Sequence, residues 1–592
     1  MKKSLLSIVF LTGWILVLWQ SQTRAAFAFQ QMQAPLVIQG GLLVDGTGRS
    51  PMPDSVIVIA DGKIQAVGMA GFVTVPRNAT IINAAGKTVI PGLVDSHVHY
   101  RDSLGPLFLY WGVTSVGDMA NPQGWILAER KATELGRITG PYIMAAGWML
   151  NAPPKQGLLR GPGELAGVST FLNGNAYQQY VSDEASIEAA IAEAQRAGVD
   201  AIKLYQRMNP ALMKLAAEVA HRRGFRVFSH FTSANARQGL FLSTDEILGT
   251  GIDTHVHGFG LVKATVDKEA QGRISKGELS EAEYLMDTAK FPDLAQRMVD
   301  AKMSLNPTVG AEWEKFSKFR EEFDRINTAF LAGLVGSALP EPMRRGYAAT
   351  YKPYEGEHPE HMEEGYHKSL QFIKEFVDRG GKIIAGSDTG PGPRTPGITL
   401  HAEMQMLSEA GLKPMQIIQA ATSWGMEAWG KLAEVGTIEA GKRADLVILN
   451  RNPLEDISAT FDIDQVIQGG KRVDRQGLAR VKDTLPRPTP MQGALPNYLI
   501  ELPFITEISP DSLPQHLNGT TKITIRGQGF SPQSVVLLND KLVPVQYRES
   551  TRLEVSLQGN WVNEMGTYPL AVVNPGSGGG ISNPYYLVVV PD

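Results

Sequence analysis

The segment Thr88 to His99 (Thr-Val-Ile-Pro-Gly-Leu-Val-Asp-Ser-His-Val-His) constrains the possible folds of this chain more than any other segment. Its apolar residues predict a buried strand, broken near its start by Pro91-Gly92, that ends in His97 and His99. Side chains two residues apart in a strand point to the same face, so both imidazoles would face one side of the strand end. Such a pair can form half of a metal site, although core packing also explains isolated His-x-His pairs.

The first 28 residues have the pattern of an export signal. Lys2 and Lys3 precede the apolar run Leu5 to Trp19, and the small-residue sequence Ala26-Phe27-Ala28 follows. We expect cleavage after Ala28 and a periplasmic or secreted protein without a membrane span after cleavage, with an uncleaved anchor as the alternative. The chain contains no cysteine, so any metal must be bound by histidine, carboxylate or a lysine-derived oxygen.

Length and charge limit the number of domains and the kinds of partner that the chain can have. A chain of 592 residues exceeds what one hydrophobic core supports, so several domains are expected. The 56 basic and 60 acidic residues give a net charge of −4, which provides no electrostatic basis for binding nucleic acid.

The pattern of apolar runs predicts an α/β protein with a (β/α)8 TIM barrel at its centre. Residues 36–90 and 436–482 alternate short strands and turns, which indicates one small β-sandwich built from both flanks. Residues 91–435 alternate strands with amphipathic helices, as in a barrel with insertions, and the insertion 313–367 is expected to form helices over the barrel mouth. The strand candidates of the barrel are 89–99, 113–119, 142–147, 201–205, 226–230, 252–257, 303–307 and 382–387.

The C-terminal part of the chain has a different composition. Residues 484–500 contain four prolines and are typical of a linker. Residues 501–592 show short strands separated by Gly, Pro and Asn turns, which predicts an immunoglobulin-like β-sandwich. The stretches Pro503–Pro510 and Gly527–Phe530 are similar to IPT/TIG domains. We expect this domain to bind a protein or a polysaccharide if it binds a partner.

Several barrel strands end in a residue that can bind a metal or titrate, where barrel enzymes place their catalytic groups. Besides His97 and His99, these residues are Lys203 on strand 4, His230 on strand 5, His257 on strand 6 and Asp388 on strand 8. Each has a structural explanation when taken alone: Lys203 could reach solvent, and Asp388 could cap a helix. His255 is an alternative to His257, because the two would share one face of a strand. The joint pattern nevertheless favours a metal site.

These residues lie in motifs that resemble a known family. Pro91–His99, Gly386-Ser387-Asp388 and Gly436–Val447 are similar to the amidohydrolase superfamily of metal-dependent hydrolases. Lys203, the run Gly251–Gly258 and the sequence His401-Ala402-Glu403-Met404 resemble its prolidase-like and imidazolonepropionase-related branch.

The resemblance implies a site with two divalent metal ions, most often zinc. It implies that His97, His99 and Asp388 bind one metal and that His230 and His257 bind the second, with Lys203 as a CO2-derived carbamate between them. A hydroxide bridging the metals would attack a carbonyl carbon, and Asp388 would pass its proton to the leaving nitrogen.

Candidates for substrate binding are Arg101, Tyr205 and Arg394. Arg101 follows the histidine pair as in dihydroorotases and hydantoinases, where an arginine binds a substrate carboxylate, and Arg394 is its rival for that role. An ion pair with a neighbouring loop would equally explain Arg101. Deaminases of the superfamily carry a glutamate shortly after the strand-5 histidine, whereas this chain continues with Phe231-Thr232-Ser233.

We therefore expect an exported binuclear hydrolase of a small-molecule amide, namely a dipeptide or an N-acyl amino acid. The alternatives are a cyclic amide, lactone or ester hydrolase, and a noncatalytic surface protein that uses the barrel as a scaffold. The sequence leaves a homo-oligomer open.

Overall fold

The computed structural model describes most of the chain with gaps. The described ranges are 34–100, 104–121, 123–134, 136, 138–153, 178–230, 242–275, 282–339, 341–354, 358–390, 394–478, 503–514, 519–538, 541–562, 566–574, 580–582 and 585–590. The predicted signal peptide 1–28, Arg101 and the predicted linker 484–500 lie outside these ranges. Within them, no helix is long and apolar enough to cross a membrane.

Strands occur in four groups along the chain. The first group is β1 (Leu36–Leu43), β2 (Met52–Ala60), β3 (Lys63–Met69), β4 (Thr80–Asn83) and β5 (Thr88–Pro91). The second is β6 (Leu93–Val98), β7 (Val113–Asp118), β8 (Tyr142–Ala145), β9 (Met149–Asn151), β10 (Gln178–Tyr180), β11 (Ala201–Leu204), β12 (Arg226–Ser229), β13 (Thr254–Val256) and β14 (Ser304–Asn306). The third is β15 (Leu446–Leu449), β16 (Ile463–Gln468) and β17 (Lys471–Arg472). The fourth is β18 (Phe504–Ser509), β19 (Ser512–Pro514), β20 (Thr520–Gln528), β21 (Val535–Leu538), β22 (Lys541–Val543), β23 (Val545–Glu549), β24 (Arg552–Gln558), β25 (Gly566–Asn574), β26 (Gly580–Ile581) and β27 (Tyr585–Val590).

The first and third groups form one sheet, in the order β17-β16-β15-β5-β1-β2-β3 with β4 paired to β1. The two flanks meet where β15 pairs antiparallel with β5, and Val447 lies opposite Ile90. The predicted sandwich of both flanks is therefore confirmed. The expected strand 89–99 is divided, because Gly92 separates β5 in this sheet from β6 in the barrel.

The second group forms the barrel. Strands β6, β7 and β8 are parallel neighbours, and β9, β11, β12, β13 and β14 form a second parallel run. Asp200 joins the runs by donating its N–H to the oxygen of Ala145. The predicted eighth strand closes the barrel through bridges of Ile383 with Leu305 and of Thr389 with Val98. The expected (β/α)8 architecture is confirmed.

Helices alternate with the barrel strands and follow them along the chain. They are α1 (Gly105–Tyr110), α2 (Gln123–Glu134), α3 (Glu184–Ala197), α4 (Pro210–Arg222), α5 (Thr244–Ile247), α6 (Phe259–Thr265), α7 (Lys268–Ser275), α8 (Phe291–Asp300), α9 (Val309–Glu312), α10 (Arg320–Ala332), α11 (Glu341–Ala348), α12 (Pro359–Asp378), α13 (Ile398–Glu409), α14 (Pro414–Ala420) and α15 (Ser423–Ala428). Short 3-10 turns are Glu283–Leu285, Thr288–Lys290, Gly336–Ala338, Ile457–Phe461 and Gly559–Trp561. Local signals explain their ends: α3 begins in a capping box at Asp183 and ends at Gly198, which has φ +89°.

The C-terminal strands form two antiparallel-rich sheets with their own apolar core. Residues of β21 alternate between two environments, as the period of a strand requires. Val536 and Leu538 lie in the core of this domain, whereas Val535 and Leu537 lie in the apolar cluster of the barrel. Strand β25 contacts helix α2 of the barrel. The C-terminal domain thus packs against the barrel through one face of a sheet.

Candidate metal centre

Strand β6 and the loop after the predicted eighth strand bring two histidines and a carboxylate together. Nε2 of His97 lies 3.5 Å and Nε2 of His99 lies 3.3 Å from Oδ1 of Asp388. His97 is buried, and His99 forms the more accessible edge of the cluster. These three side chains offer ligand atoms within 4.8 Å of one another. The histidine pair and the strand-8 aspartate therefore converge on one point.

The histidines of strands 5 and 6 stand beside this cluster. The ring centroids of His97 and His257 are 5.1 Å apart, and those of His257 and His230 are 4.6 Å apart. Burial lowers the pKa of His230 to about 3, and it lowers the pKa of His97 and His257 well below the usual range. All three are therefore neutral near pH 7 and carry a lone pair that can bind a metal.

Lys203 reaches the same region from β11. Its side chain is among the largest fully buried ones, and Nζ has no hydrogen-bond partner within the described part of the chain. Burial lowers the pKa of Lys203 to about 7, despite the opposing charge of Asp388. The charge of Lys203 in turn lowers the pKa values of the three buried histidines. A buried amine that faces three imidazoles and a carboxylate is poorly explained by packing alone.

Asp388 is the anionic group of the site. Burial would raise its pKa, but a hydrogen bond with His99, the neighbouring imidazoles and the charge of Arg394 outweigh burial and lower it. The carboxylate is thus ionised at neutral pH. Its buried Oδ1 atom lies 3.3 Å from Nε2 of His99 and 3.5 Å from Nε2 of His97. A buried anionic oxygen flanked by imidazole nitrogens is a ligand atom that fits a cation.

Left-handed backbone conformations occur at the ends of the strands that build the site. His257 has φ +63°, Thr308 has φ +50° and Asp388 has φ +47°. Each such residue costs about 1–3 kcal/mol relative to an ordinary conformation. The orientation of these side chains therefore comes at a cost in folding stability. The conformation also separates the two strand-6 histidines, which were expected to share a face. His255 instead approaches the hydroxyl of Thr244 in α5 at 3.5 Å.

Two residues at the carboxyl end of the seventh strand support the histidines, and sequence reasoning missed both. Oδ1 of Asn306 lies 2.7 Å from Nδ1 of His97, and Oγ1 of Thr308 lies 2.7 Å from Nδ1 of His257. The available signal was their position: polar residues two apart at the carboxyl end of a barrel strand. Asp95 lies beneath the site, where Ser387 donates from its backbone N–H and its hydroxyl to the carboxylate. Burial raises the pKa of Asp95 to about 7.

The candidates for substrate binding have different surroundings. The ring of Tyr205 lies 5.0 Å from that of His230, and its hydroxyl accepts a hydrogen bond from Gln206. Burial raises the pKa of Tyr205 to about 12, so it stays a hydrogen-bond donor at neutral pH. Arg394 donates to the backbone oxygens of Ala311 and Asp388. These bonds occupy much of its guanidinium and fix it at the edge of the site. The prediction for Arg101 falls outside the described residues.

The predicted donor set fits a pair of divalent cations. Neutral imidazoles, an ionised carboxylate and a buried lysine meet where the barrel strands end, and oxygen and nitrogen ligands suit zinc and related metals. Cysteine ligands are excluded by composition. The residues present therefore agree with the metal chemistry that the sequence suggested.

Sequence comparison decides the family. Residues 350–473 match the amidohydrolase family, and residues 503–588 match the IPT/TIG domain. The segment 350–473 therefore belongs to the amidohydrolase family. The C-terminal domain of the chain is an IPT/TIG domain, so both resemblances are confirmed.

Two curated relatives show how far the sequence likeness extends. Ochratoxinase of Aspergillus niger is 24% identical over 480 residues, which cover 75% of this chain and 87% of that protein. Dihydroorotase of Ligilactobacillus salivarius is 44% identical over 68 residues, which cover 12% of this chain and only 15% of that protein. The chain therefore spans a small part of some relatives that it matches.

Solved structures share the fold. Molinate hydrolase superposes with a TM-score of 0.54 at 19% identity, covering 78% of this chain and 100% of that one. A prolidase in complex with N-methylphosphonate-L-proline gives a TM-score of 0.51 at 20% identity, covering 74% and 99%. At these identities the likeness establishes the fold.

Proposed function

We propose that this protein is a metal-dependent hydrolase that cleaves an amide-type C–N bond in a dipeptide or an N-acyl amino acid. The observation that carries the proposal is the convergence of six metal-competent side chains from five barrel strands. The substrate class follows the prolidase among the structural neighbours.

The residues divide into two groups by position. His97, His99 and Asp388 would hold one divalent cation, and His230 and His257 would hold the second. When bound, two such cations, zinc in this proposal, acidify a water molecule and polarise the substrate carbonyl. Asp388 is ionised and lies at the centre of the cluster, so its carboxylate can accept a proton and transfer it to the leaving nitrogen.

Lys203 would join the two halves as a carbamate. Carbamate formation needs an uncharged amine, and burial brings the pKa of Lys203 to about 7. The Nζ lone pair attacks the carbon of CO2, the N–C bond forms as one C=O π bond opens to oxygen, and one proton leaves the nitrogen for solvent. The product carries two oxygens and a negative charge, which suits a bridge between two cations.

The test combines metal analysis with a hydrolysis screen. The full chain without its first 28 residues is assayed for metal content and for activity on dipeptides, N-acyl amino acids, hydantoins and lactones. We expect two equivalents of divalent metal and highest activity on a linear amide. A wild-type protein that binds no metal would overturn the proposal and favour the noncatalytic surface protein. Activity confined to hydantoins or lactones would replace the substrate class.

Lys203→Ala tests the carbamate. Activity should fall at least a hundredfold and should recover in part with added acetate or propionate, whose carboxylate can occupy the vacated position. Lys374→Ala is the matched control, because Lys374 is partly exposed and paired with Asp378 on helix α12. Full activity of Lys203→Ala without added acid contradicts the carbamate.

Export is the second part of the proposal and rests on the N-terminal pattern. We expect the mature N-terminus to follow Ala28 in protein recovered from a periplasmic or extracellular fraction. N-terminal sequencing of that material measures it, and an intact Met1 in a membrane fraction would support the uncleaved anchor instead.

A further inference from the structure

Strand β14 contributes no predicted metal ligand, yet its carboxyl end touches both halves of the site. Asn306 and Thr308 are two residues apart and fully buried. The backbone oxygen of Asn306 accepts a hydrogen bond from the N–H of His257, while its side chain meets His97. This single segment therefore links a histidine of each proposed metal position.

The amide of Asn306 can adopt one orientation only. Its Nδ2 donates to the backbone oxygen of Ile384 at 2.6 Å. Oδ1 must then face Nδ1 of His97 as an acceptor, so the imidazole hydrogen sits on Nδ1. Nε2 of His97 consequently carries the lone pair, and it is the atom that lies 3.5 Å from Asp388. The network selects the tautomer that a metal on Nε2 requires.

Thr308 plays the corresponding part for His257. It precedes helix α9, where a threonine usually accepts a hydrogen bond from the helix backbone, but its side chain forms no such cap. Its hydroxyl lies 2.7 Å from Nδ1 of His257 instead. It also holds a left-handed backbone conformation, which is strained for a β-branched residue. The absence of a side-chain cap and the strained backbone both indicate that the role of the hydroxyl is to hold the imidazole of His257.

Gly386 shows how closely this layer is packed. A Cβ atom there would lie 2.7 Å from both Nδ2 of Asn306 and Cβ of His97. The absence of a side chain thus permits the contact between the seventh strand and the first.

We propose that Asn306 and Thr308 are positioning residues, one for each metal: Asn306 fixes the ring orientation and the tautomer of His97, and Thr308 fixes the ring orientation of His257. The proposal rests on the proposed metal-dependent function. Asn306 would affect the metal that His97, His99 and Asp388 hold. Thr308 would affect the metal that His230 and His257 hold. Because outer-sphere partners of this kind typically contribute about 10–100-fold in metal affinity, their removal should weaken one metal equivalent each.

The experiment compares metal retention in variants that keep side-chain volume. Asn306→Leu and Thr308→Val remove the hydrogen bonds, Thr308→Ser keeps the hydroxyl, and Ser304→Ala removes a hydroxyl from the other end of the same strand. Zinc content is measured by mass spectrometry during titration with a chelator. We expect one of two equivalents to be lost at about 10–100-fold lower chelator concentration in Asn306→Leu and Thr308→Val. Thr308→Ser and Ser304→Ala should match the wild type.

Thr308→Gly separates positioning from a purely structural role. Glycine adopts the left-handed conformation without strain, and this gain opposes the cost of removing a buried side chain, so the metal-free variant should unfold within a few degrees of the wild type while it retains zinc less well. A parallel loss of thermal stability and zinc would overturn positioning by Thr308. Zinc retention within twofold of wild type in both Asn306→Leu and Thr308→Val would overturn this inference and leave the proposed function intact. A wild type that binds no zinc would overturn the proposed function and this inference together.

Discussion

Glu403 is a buried carboxyl group in helix α13. Its Oε2 accepts a hydrogen bond from the N–H of Gly310 at 2.5 Å, and Oε1 has no hydrogen-bond partner in the described ranges. Burial raises the pKa of Glu403 to about 8, the charge of Asp95 adds to that rise, and the bond from Gly310 opposes it. The side chain is therefore mostly protonated at neutral pH in the folded protein.

This group makes stability depend on pH in a defined window. The unfolded chain releases the Glu403 proton near pH 4.5, whereas the folded chain holds it to about pH 8. Its contribution is complete below 4.5 and is lost as pH rises to 8, by about 1.4 kcal/mol per unit at most. Glu403→Gln stays neutral and keeps an acceptor for Gly310, so its free energy of unfolding relative to wild type should rise between pH 5 and 8. Urea denaturation at pH 5, 6.5 and 8 measures this difference, and parallel curves would contradict it.

At the residue scale, the sequence predicts those site residues whose location follows from the local periodicity of a strand. Lys203 and His230 could be located because they end apolar strands, and the structure places them together. The choice between His255 and His257 could not be settled by alternation, since His257 lies past the end of β13 in a left-handed conformation. Thr308 was missed for the same reason, since it too has a left-handed backbone, whereas Asn306 ends β14 and its contact with His97 arises from tertiary packing. Packing around the strand ends imposes those conformations, and no local pattern encodes them.

At the scale of elements, the eighth strand differs most from expectation. A regular strand was predicted over 382–387, but the structure shows isolated bridges at Ile383 and Thr389. Backbone hydrogen bonds still join the segment to both neighbouring strands, since Ile384 donates to Leu305 and Asp388 donates to His97. Ala385 donates instead to Ala420, and Ser387 donates to Asp95, so the regular pairing is interrupted between the two bridges.

Gly386→Ala tests this crowding. The added methyl group would meet Asn306 and His97 at 2.7 Å, so we expect a loss of about 1–3 kcal/mol in stability from overpacking together with weaker metal retention. Gly272→Ala is the control, since a methyl group added there would have no atom within 4 Å and the residue stands in helix α7. That substitution should stabilise the protein by about 0.5–1 kcal/mol. Thermal unfolding with and without zinc distinguishes the loss of stability from the loss of metal retention. Equal stability of Gly386→Ala and wild type would show that the site can relax around the methyl group.

At the scale of the molecule, strand periodicity and composition were enough to predict most of the domain organisation. Alternating strands and helices indicated the barrel, and turn-rich flanks indicated the sandwich and the C-terminal domain. The way the domains pack was beyond such reasoning. Val572 and Val573 are both buried apolar residues of β25, yet one faces the core of the IPT/TIG domain and the other the cluster of the barrel. Which exposed sheet face meets which helix depends on the folded surfaces of both domains.

Val573→Asp tests whether the IPT/TIG domain is held to the barrel by this apolar face. An isolated carboxylate there loses its hydration without gaining a partner, which costs several kcal/mol, so the domains should separate while each keeps its own core. Hydrogen exchange of the backbone amides in Gln123–Glu134 should then accelerate, because β25 contacts that helix. Gln546→Asp adds the same charge at an exposed position of β23 and should leave that exchange unchanged. Unaltered protection in Val573→Asp would mean that the barrel holds helix α2 without the C-terminal domain.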